Sequence, residues 1–136
     1  MELDSKHEVL FAIYAEYQKD IIDMKSVSFK SLEMDSRVFI TALLKLKNEG
    51  FIEGLVVHPP NARRAEKVIA IMMEDVIPTR FAVEYVENKL EIKQDLSAQE
   101  KLKLMSSKFG KFGFEILKKY VVMKLESFAW NVKSIY

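Results

Sequence analysis

The chain has 136 residues, of which 49% are hydrophobic and none is cysteine, and its formal net charge at pH 7 is +1. This length is sufficient for one hydrophobic core and short for two independent domains, and the absence of cysteine excludes disulfides and thiolate metal sites. No apolar run approaches the length of a membrane span, and the polar, acidic N-terminus is unlike a secretory signal. The sequence therefore predicts a cytoplasmic protein with no membrane segment and no bound cofactor.

The small net charge hides a segregation of charge along the chain. Residues 58–67 carry 3 Lys or Arg against 1 Asp or Glu, and residues 101–136 carry 8 against 2, whereas the segments 1–57 and 68–100 are net acidic. Two interpretations of the basic C-terminal segment are open. Either it packs against acidic parts of its own chain or of a partner subunit, or it contacts phosphates.

Hydrophobic periodicity predicts the first elements in chain order. Residues 5–17 have apolar side chains at three- and four-residue steps, which predicts an amphipathic helix capped by Asp4 or Ser5. A very short strand at residue 27 follows. A short helix is predicted from residue 28, with Phe29 and Leu32 facing inward.

Residues 36–49 form the clearest predicted helix. Asp35 or Ser36 supplies its cap, and Gly50 ends it in the left-handed conformation. Its inward stripe consists of Phe39, Ala42, Leu43 and Leu46.

A β-hairpin is predicted after this helix, with strands at residues 51–57 and 67–73. Pro59 and Pro60 cannot donate ladder hydrogen bonds, so the first strand should end near His58. Helix, short helix, helix and hairpin follow one another in the order of a winged helix-turn-helix. The predicted fold is therefore mainly α with a small β-hairpin.

More helices are predicted beyond the hairpin. One begins near Pro78, another after a cap at Asp95 or Ser97, and a long C-terminal helix runs from Phe114 after a break near Gly110 and Gly113. We divide the chain into a winged helix-turn-helix domain, residues 1–92, and a C-terminal helical extension, residues 93–136.

The C-terminal helix has two apolar faces, which a small winged domain cannot both bury. We therefore predict a homodimer formed through the C-terminal helices, and the rival interpretation is a larger core within one chain. The predicted protein-interface residues are Leu117, Tyr120, Val121, Leu125, Phe128 and Trp130.

Residues 7–92 resemble the YjcQ-like winged-helix proteins of bacterial and prophage genomes. The resemblance lies in the stretch HEVLFAIY, in the apolar stripe of the helix before NEGFIEG, and in PTRFAVEYV. In the last of these, Thr79, Ala82, Tyr85 and Val86 occupy a Thr-x-x-Gly-x-x-Tyr-Leu pattern, with Ala82 in the place of Gly. The resemblance implies a winged-helix fold and a phage- or prophage-related role. The terminal helix is similar in layout to that of PadR-type repressors.

The second helix of a helix-turn-helix inserts its N-terminal half into the major groove, where outward side chains meet base edges. In this chain Arg37 could bind a guanine, Thr41 a base or a phosphate, and Lys45 a phosphate. The predicted DNA-contacting residues of this helix are Ser36, Arg37, Thr41, Lys45 and Asn48.

Arg63 and Arg64 give the hairpin a basic tip, which could lie over phosphates or enter an adjacent minor groove. A charged loop tip with no binding role is the simpler alternative. Ile40 and Leu44 share the outward face of the preceding helix, and exposed aliphatic side chains also suit a protein partner.

Enzyme chemistry has little support in this sequence. No glycine pattern presents a serine as a nucleophile, no Gly-rich phosphate loop occurs among the four glycines, and the two histidines give no metal-ligand spacing. We therefore expect no enzyme and no metal. The sequence predicts a dimeric, double-stranded DNA-binding transcriptional regulator of phage or prophage type. The alternative is a winged-helix module that binds protein and not DNA.

Overall fold

The computed structural model describes the backbone of residues 3–135 and the side chains of residues 3–126. This part of the chain is mainly helical, with a small antiparallel hairpin region. Its helices are α1 Ser5–Tyr17, α2 Ser36–Asn48, α3 Arg80–Lys89, α4 Ala98–Lys111 and α5 Glu115–Ile135. Its strands are β1 Ile52–Glu53, β2 Val56–His58, β3 Ala70–Met72 and β4 Ile77–Pro78.

Polar side chains begin four of the helices. The side-chain oxygens of Asp4, Asp35, Thr79 and Ser97 each accept a hydrogen bond from a backbone amide two or three residues later. Each bond satisfies one of the amides that the first turn of a helix leaves without a partner. The predicted starts of α1, α2 and α4 are confirmed, as is the break before α5, where Gly113 has φ +79°.

The segment between α1 and α2 differs from its prediction. Residue 27 follows a 3-10 turn, Met24–Ser26, and forms no strand, and the predicted short helix is a single hydrogen-bonded turn. The Ser31 hydroxyl donates to the backbone carbonyl of Ser26 and accepts from the amide of Ser28. Such side-chain bonds to the backbone compete with regular helix. Leu32 is buried as expected, whereas Phe29 is 38% exposed.

Two continuous strands were predicted for the hairpin. The structure instead has two short antiparallel pairs of strands, one enclosed by the other along the chain. β1 pairs with β4, and β2 pairs with β3 beyond a break at Gly54 and Leu55. Gly54 has φ +83°, and a Cβ at this position would overlap the carbonyl oxygen of Asp75. Only glycine combines this backbone conformation with so close an approach. The first arm ends at His58, as predicted from the prolines.

Helix α1 occupies the centre of the fold. Every residue from Val9 to Glu16 is buried, because α2 and α3 pack against the helix as well as α5. The sequence predicted an amphipathic helix with one solvent-exposed face, whereas contacts with α3, α4 and α5 leave no such face between Val9 and Glu16. The same core contains Leu102 and Phe109 of α4 together with Val121 of α5. The two predicted domains, divided at residue 92, therefore share one hydrophobic core.

Two buried carboxylates tie the C-terminal helices to this core. Glu87 accepts hydrogen bonds from the Tyr14 hydroxyl at 2.8 Å and from Lys101 Nζ at 2.7 Å. Glu16 Oε1 lies 2.7 Å from Lys124 Nζ. Two basic side chains of the C-terminal segment, Lys101 and Lys124, thus pair with acidic side chains of the same chain, as the first of the two interpretations of its charge expects.

The buried carboxylate of Glu16 predicts acid sensitivity. Burial alone raises the pKa of Glu16, but bonds from the Asp23 amide, Lys124 and Ser26 outweigh it and hold the pKa below the ordinary value of 4.5. In acid, an unfolded chain therefore takes up this proton before the folded chain does. The resulting stability is complete above pH 4.5 and is lost as the pH falls through the folded-state pKa.

We expect the free energy of unfolding, measured by urea denaturation from pH 6 down to pH 3, to decrease over this range. A Glu16→Leu/Lys124→Met double variant should lose a smaller amount over the same range, because the remaining decrease comes from other carboxyls such as Asp4. Equal pH dependence in the two proteins would contradict the assignment to Glu16.

No helix in the described residues combines the length and the apolar character needed to cross a membrane.

Candidate nucleic-acid interface

A groove of about 590 Å³ separates the C-terminal half of α2 from the hairpin loop, residues 59–69. Three basic side chains and no acidic side chain line it, so its charge is uniformly positive. We call it the basic groove. Its lining residues are Thr41, Leu44, Lys45, Lys47, Asn48, Ala62 and Arg63.

The hairpin loop lies against α2, so its arginines are not at a free tip. Ala62 donates to the carbonyl of Pro59 at 3.0 Å, and a 3-10 turn, Ala65–Lys67, packs on α2 with Ala65 buried. These contacts fix the loop beside the helix. Arg63 consequently lines the basic groove with the lysines of α2, and it also lines a smaller groove on the loop together with Arg64 and Lys67.

A second groove lies on the other side of a ridge formed by Thr41 and Lys45. It separates the start of α1, the N-terminal half of α2 and the hairpin loop, and acidic and basic side chains balance in it. We call it the mixed groove. Its charged lining residues are Asp4, Lys6, Asp35, Arg37, Lys45 and Glu66.

Two of the predicted DNA-contacting arginines lie beside carboxylates. Arg37 Nε is 3.5 Å from Asp35 Oδ1, and Arg64 Nε is 3.5 Å from Glu66 Oε1, with all four side chains exposed. Such exposed pairs contribute little to stability, but each one reduces the net charge offered to a phosphate. The backbone amide of Arg37, assisted by its guanidinium, keeps the pKa of Asp35 below its ordinary value, so this carboxyl stays ionised at neutral pH.

The structure brings four of the predicted residues together and separates the other three. Thr41, Lys45, Asn48 and Arg63 all line the basic groove. Arg37 lies in the mixed groove, Ser36 beside an apolar groove described below, and Arg64 in the smaller loop groove that it shares with Arg63.

Lys47 belongs to the basic groove and was not among the predicted residues. Helical spacing could have identified it, because it lies three positions after Leu44, which lines the same groove. The loop residue Lys67 was also missed. Its position beside Arg63 and Arg64 depends on the folding of the loop, which no local sequence pattern indicates.

Ile40 and Leu44 do not form one exposed patch. Leu44 is partly buried against the core and lines the basic groove. Ile40 lines a separate groove of about 320 Å³, which we call the apolar groove, together with Phe29 and Met72. A protein partner that contacted both side chains at once would therefore have to reach two different grooves.

The predicted interface residues of the C-terminal helix have a different role within the chain. Leu117, Tyr120 and Val121 are buried in the core described above, because α4 folds back along α5 and both helices pack near α1. Leu125 is partly buried against the same core. The rival interpretation, a larger core within one chain, describes these residues. The side chains of Phe128 and Trp130 lie outside the described residues, and the dimer stays a prediction.

No protein-family model, curated protein or solved structure matches this chain. The resemblances to YjcQ-like proteins and to PadR-type repressors therefore stay predictions. Within residues 3–126, no group of three or more His, Asp or Glu side chains is arranged to hold a metal ion.

Proposed function

We propose that this protein is a dimeric DNA-binding protein of the winged-helix type and a transcriptional regulator of phage or prophage origin. The observation that carries the proposal is the basic groove, in which Lys45, Lys47 and Arg63 converge from a helix and a hairpin loop with no acidic side chain among them. The order of helix, turn, helix and hairpin supports the winged-helix assignment.

The groove suits a polyanion because its cations are exposed and come from two different elements. Lysine and arginine side chains that neutralise phosphates release condensed counterions, which makes binding strongly dependent on salt. Thr41 and Asn48 are neutral and polar, and they lie in the same groove where they can meet base edges. The end of α2 carries the negative end of the helix dipole, so the attraction must come from the side chains.

The proposed dimer uses the outer face of α5. Ile116 and Met123 are exposed on this helix, and their spacing of seven residues places them on one side of it. These two side chains lie on a different face of the helix from Leu117 and Val121, which pack in the core. A partner helix packed on the face with Ile116 and Met123 would bring the basic grooves of two chains into one dimer.

Fluorescence anisotropy with a labelled duplex of random sequence tests the proposal. We expect the affinity of the wild-type protein to fall steeply as salt increases. A Lys47→Gln/Arg63→Gln variant should bind at least about 10-fold more weakly at low salt, with the slope of log K against log salt reduced by about 2, because two phosphate contacts are lost.

The matched control is a Lys93→Gln/Lys103→Gln variant, which removes the same charge from exposed positions outside both grooves. It should bind within about 2-fold of the wild type, since distant surface charges are screened. If the two double variants weaken binding equally, only overall charge matters and the groove is not the site.

Absence of duplex binding even at low salt would reject the proposal in favour of protein recognition. The apolar groove with Phe29, Ile40 and Met72 specifically favours that second candidate. Its ligand would bind with little response to ionic strength.

A further inference from the structure

The charged side chains around α2 are distributed unequally between the two halves of the helix. From this distribution we infer that the DNA duplex lies over the C-terminal half of α2 and the hairpin loop, with the N-terminal half and Arg37 turned away from it. The inference rests on the proposed function, and it defines which surface the DNA contacts.

The first argument is the charge of the mixed groove. Three carboxylates, on Asp4, Asp35 and Glu66, line the side of α2 that holds Arg37. A duplex over this half would bring its phosphates next to all three carboxylates, which offset the three cations of the same groove. Placing like charges side by side at an interface is costly and excludes a partner more effectively than a missing contact does. The basic groove beyond the ridge has no acidic lining residue.

The second argument concerns the start of the helix. A helix N-terminus attracts anions through its free amides and its dipole, which is one reason why phosphates are found there. In this chain the Asp35 carboxylate already accepts a hydrogen bond from the backbone amide of Arg37, with 2.8 Å between Oδ1 and the amide nitrogen. Asp35 therefore occupies the position that a phosphate would take, and its charge offsets the positive end of the dipole.

The third argument is the position of Ser36. This residue is half-buried beside the apolar groove, together with Phe39 and Ile40. The first turn of α2 thus presents an apolar surface on one side and a charge-balanced surface on the other. Neither surface is complementary to phosphates, whereas the last two turns present lysines.

Glu66 lies at the boundary between the two surfaces. It is the one acidic residue between positions 58 and 67 of the sequence, and its carboxylate lies beside Arg64. Removing its charge should free Arg64 to approach a backbone phosphate. A Glu66→Gln variant should therefore bind DNA more tightly than the wild type.

Three single variants test the inference by duplex anisotropy at low salt, two that remove one positive charge and one that removes one negative charge. Relative to the wild type, Arg63→Gln should weaken binding at least about 5-fold and lower the salt slope by about 1. Arg37→Gln should change the affinity less than about 2-fold. Glu66→Gln should tighten binding about 2- to 3-fold. Circular dichroism at each protein's working temperature confirms that all three are folded.

The outcomes separate the inference from the proposed function. Wild-type binding that Arg37→Gln weakens as much as Arg63→Gln would overturn the inference and leave DNA binding intact, as would a Glu66→Gln variant with unchanged or lower affinity. Failure of the wild-type protein to bind any duplex would overturn both.

Discussion

Replacing Glu16 by glutamine is expected to lower the free energy of unfolding by about 3–5 kcal/mol, the cost of leaving a buried charge without its partner. The Glu16 side chain is fully buried. Besides its contact with Lys124, its carboxylate accepts hydrogen bonds from the Asp23 amide at 3.0 Å and from the Ser26 hydroxyl at 2.8 Å. The substitution leaves the Lys124 ammonium, itself 7% exposed, with no carboxylate beside it. Urea denaturation followed by circular dichroism at pH 7 measures the change.

A double-mutant cycle identifies the origin of this cost. The cycle compares Glu16→Leu, Lys124→Met and the double variant. Lys124→Met should be less harmful than Glu16→Leu, because Lys19 Nζ remains 3.4 Å from the carboxylate. The Glu16→Leu/Lys124→Met variant should lose less stability than the sum of these two single losses, since an apolar pair leaves no unpaired charge. The control is Glu84→Gln, which breaks the exposed pair with Arg80 and should cost less than about 0.5 kcal/mol. Strictly additive losses would show that the buried pair is not coupled.

Replacing Gly54 by alanine is expected to lower the free energy of unfolding by about 2–5 kcal/mol. A left-handed conformation costs a residue with a Cβ about 1–2 kcal/mol, and overlap with packed atoms adds about 1–3 kcal/mol. The overlapping atom is the backbone carbonyl oxygen of Asp75, which cannot move without disturbing the turn into β4. Thermal and urea denaturation of the variant measure the loss.

Gly50 provides a matched comparison for this substitution. Its φ of +80° is nearly the same, but no atom lies within 4 Å of a Cβ built on it. Gly50→Ala should therefore cost only the conformational part, about 1–2 kcal/mol. Equal losses in the free energy of unfolding at the two glycines would mean that the close approach of Asp75 to Gly54 does not affect stability.

Features set by neighbouring residues could be predicted from the sequence. Capping side chains such as Asp35 and the glycine that ends α2 act within one turn, so the bounds of this helix follow from local chemistry. The pairing of β1 with β4 could not be predicted in this way. It joins Ile52 to Pro78 across the whole hairpin, and the two-residue strands leave no alternating pattern to detect.

The burial of α1 and the partners of Glu16 could not be predicted either, because they also depend on residues far apart in the sequence. Whether a helix has one covered face or two depends on elements more than 90 residues away, as the separation of 98 residues between Ser26 and Lys124 illustrates. The sequence shows apolar residues on two faces of the C-terminal helix, and in the structure one of these faces packs in the core of the same chain. A partner chain on the other face stays a prediction.

The candidate site was predictable in its residue types and not in its arrangement. Arg37, Lys45, Arg63 and Arg64 were identified from their positions in the sequence, but the different surroundings of Arg37 and Lys47 were not. Arg37 lies among carboxylates that converge from α1 and the hairpin loop, whereas Lys47 faces Arg63. Surroundings of this kind come from tertiary structure.

The central position of α1 has a consequence for the order in which the protein can fold. Helix α1 leaves the ribosome before the other described helices, its residues from Val9 to Ala15 are all apolar, and the cationic partner of its Glu16 is synthesised more than 100 residues later. Until α5 has been synthesised, this helix is either exposed in the nascent chain or covered by non-native hydrophobic contacts. Closing so long a loop also slows the search for the native contacts. Folding should therefore finish only late in synthesis, and a chain that stalls before α5 would be a target for chaperones and proteases.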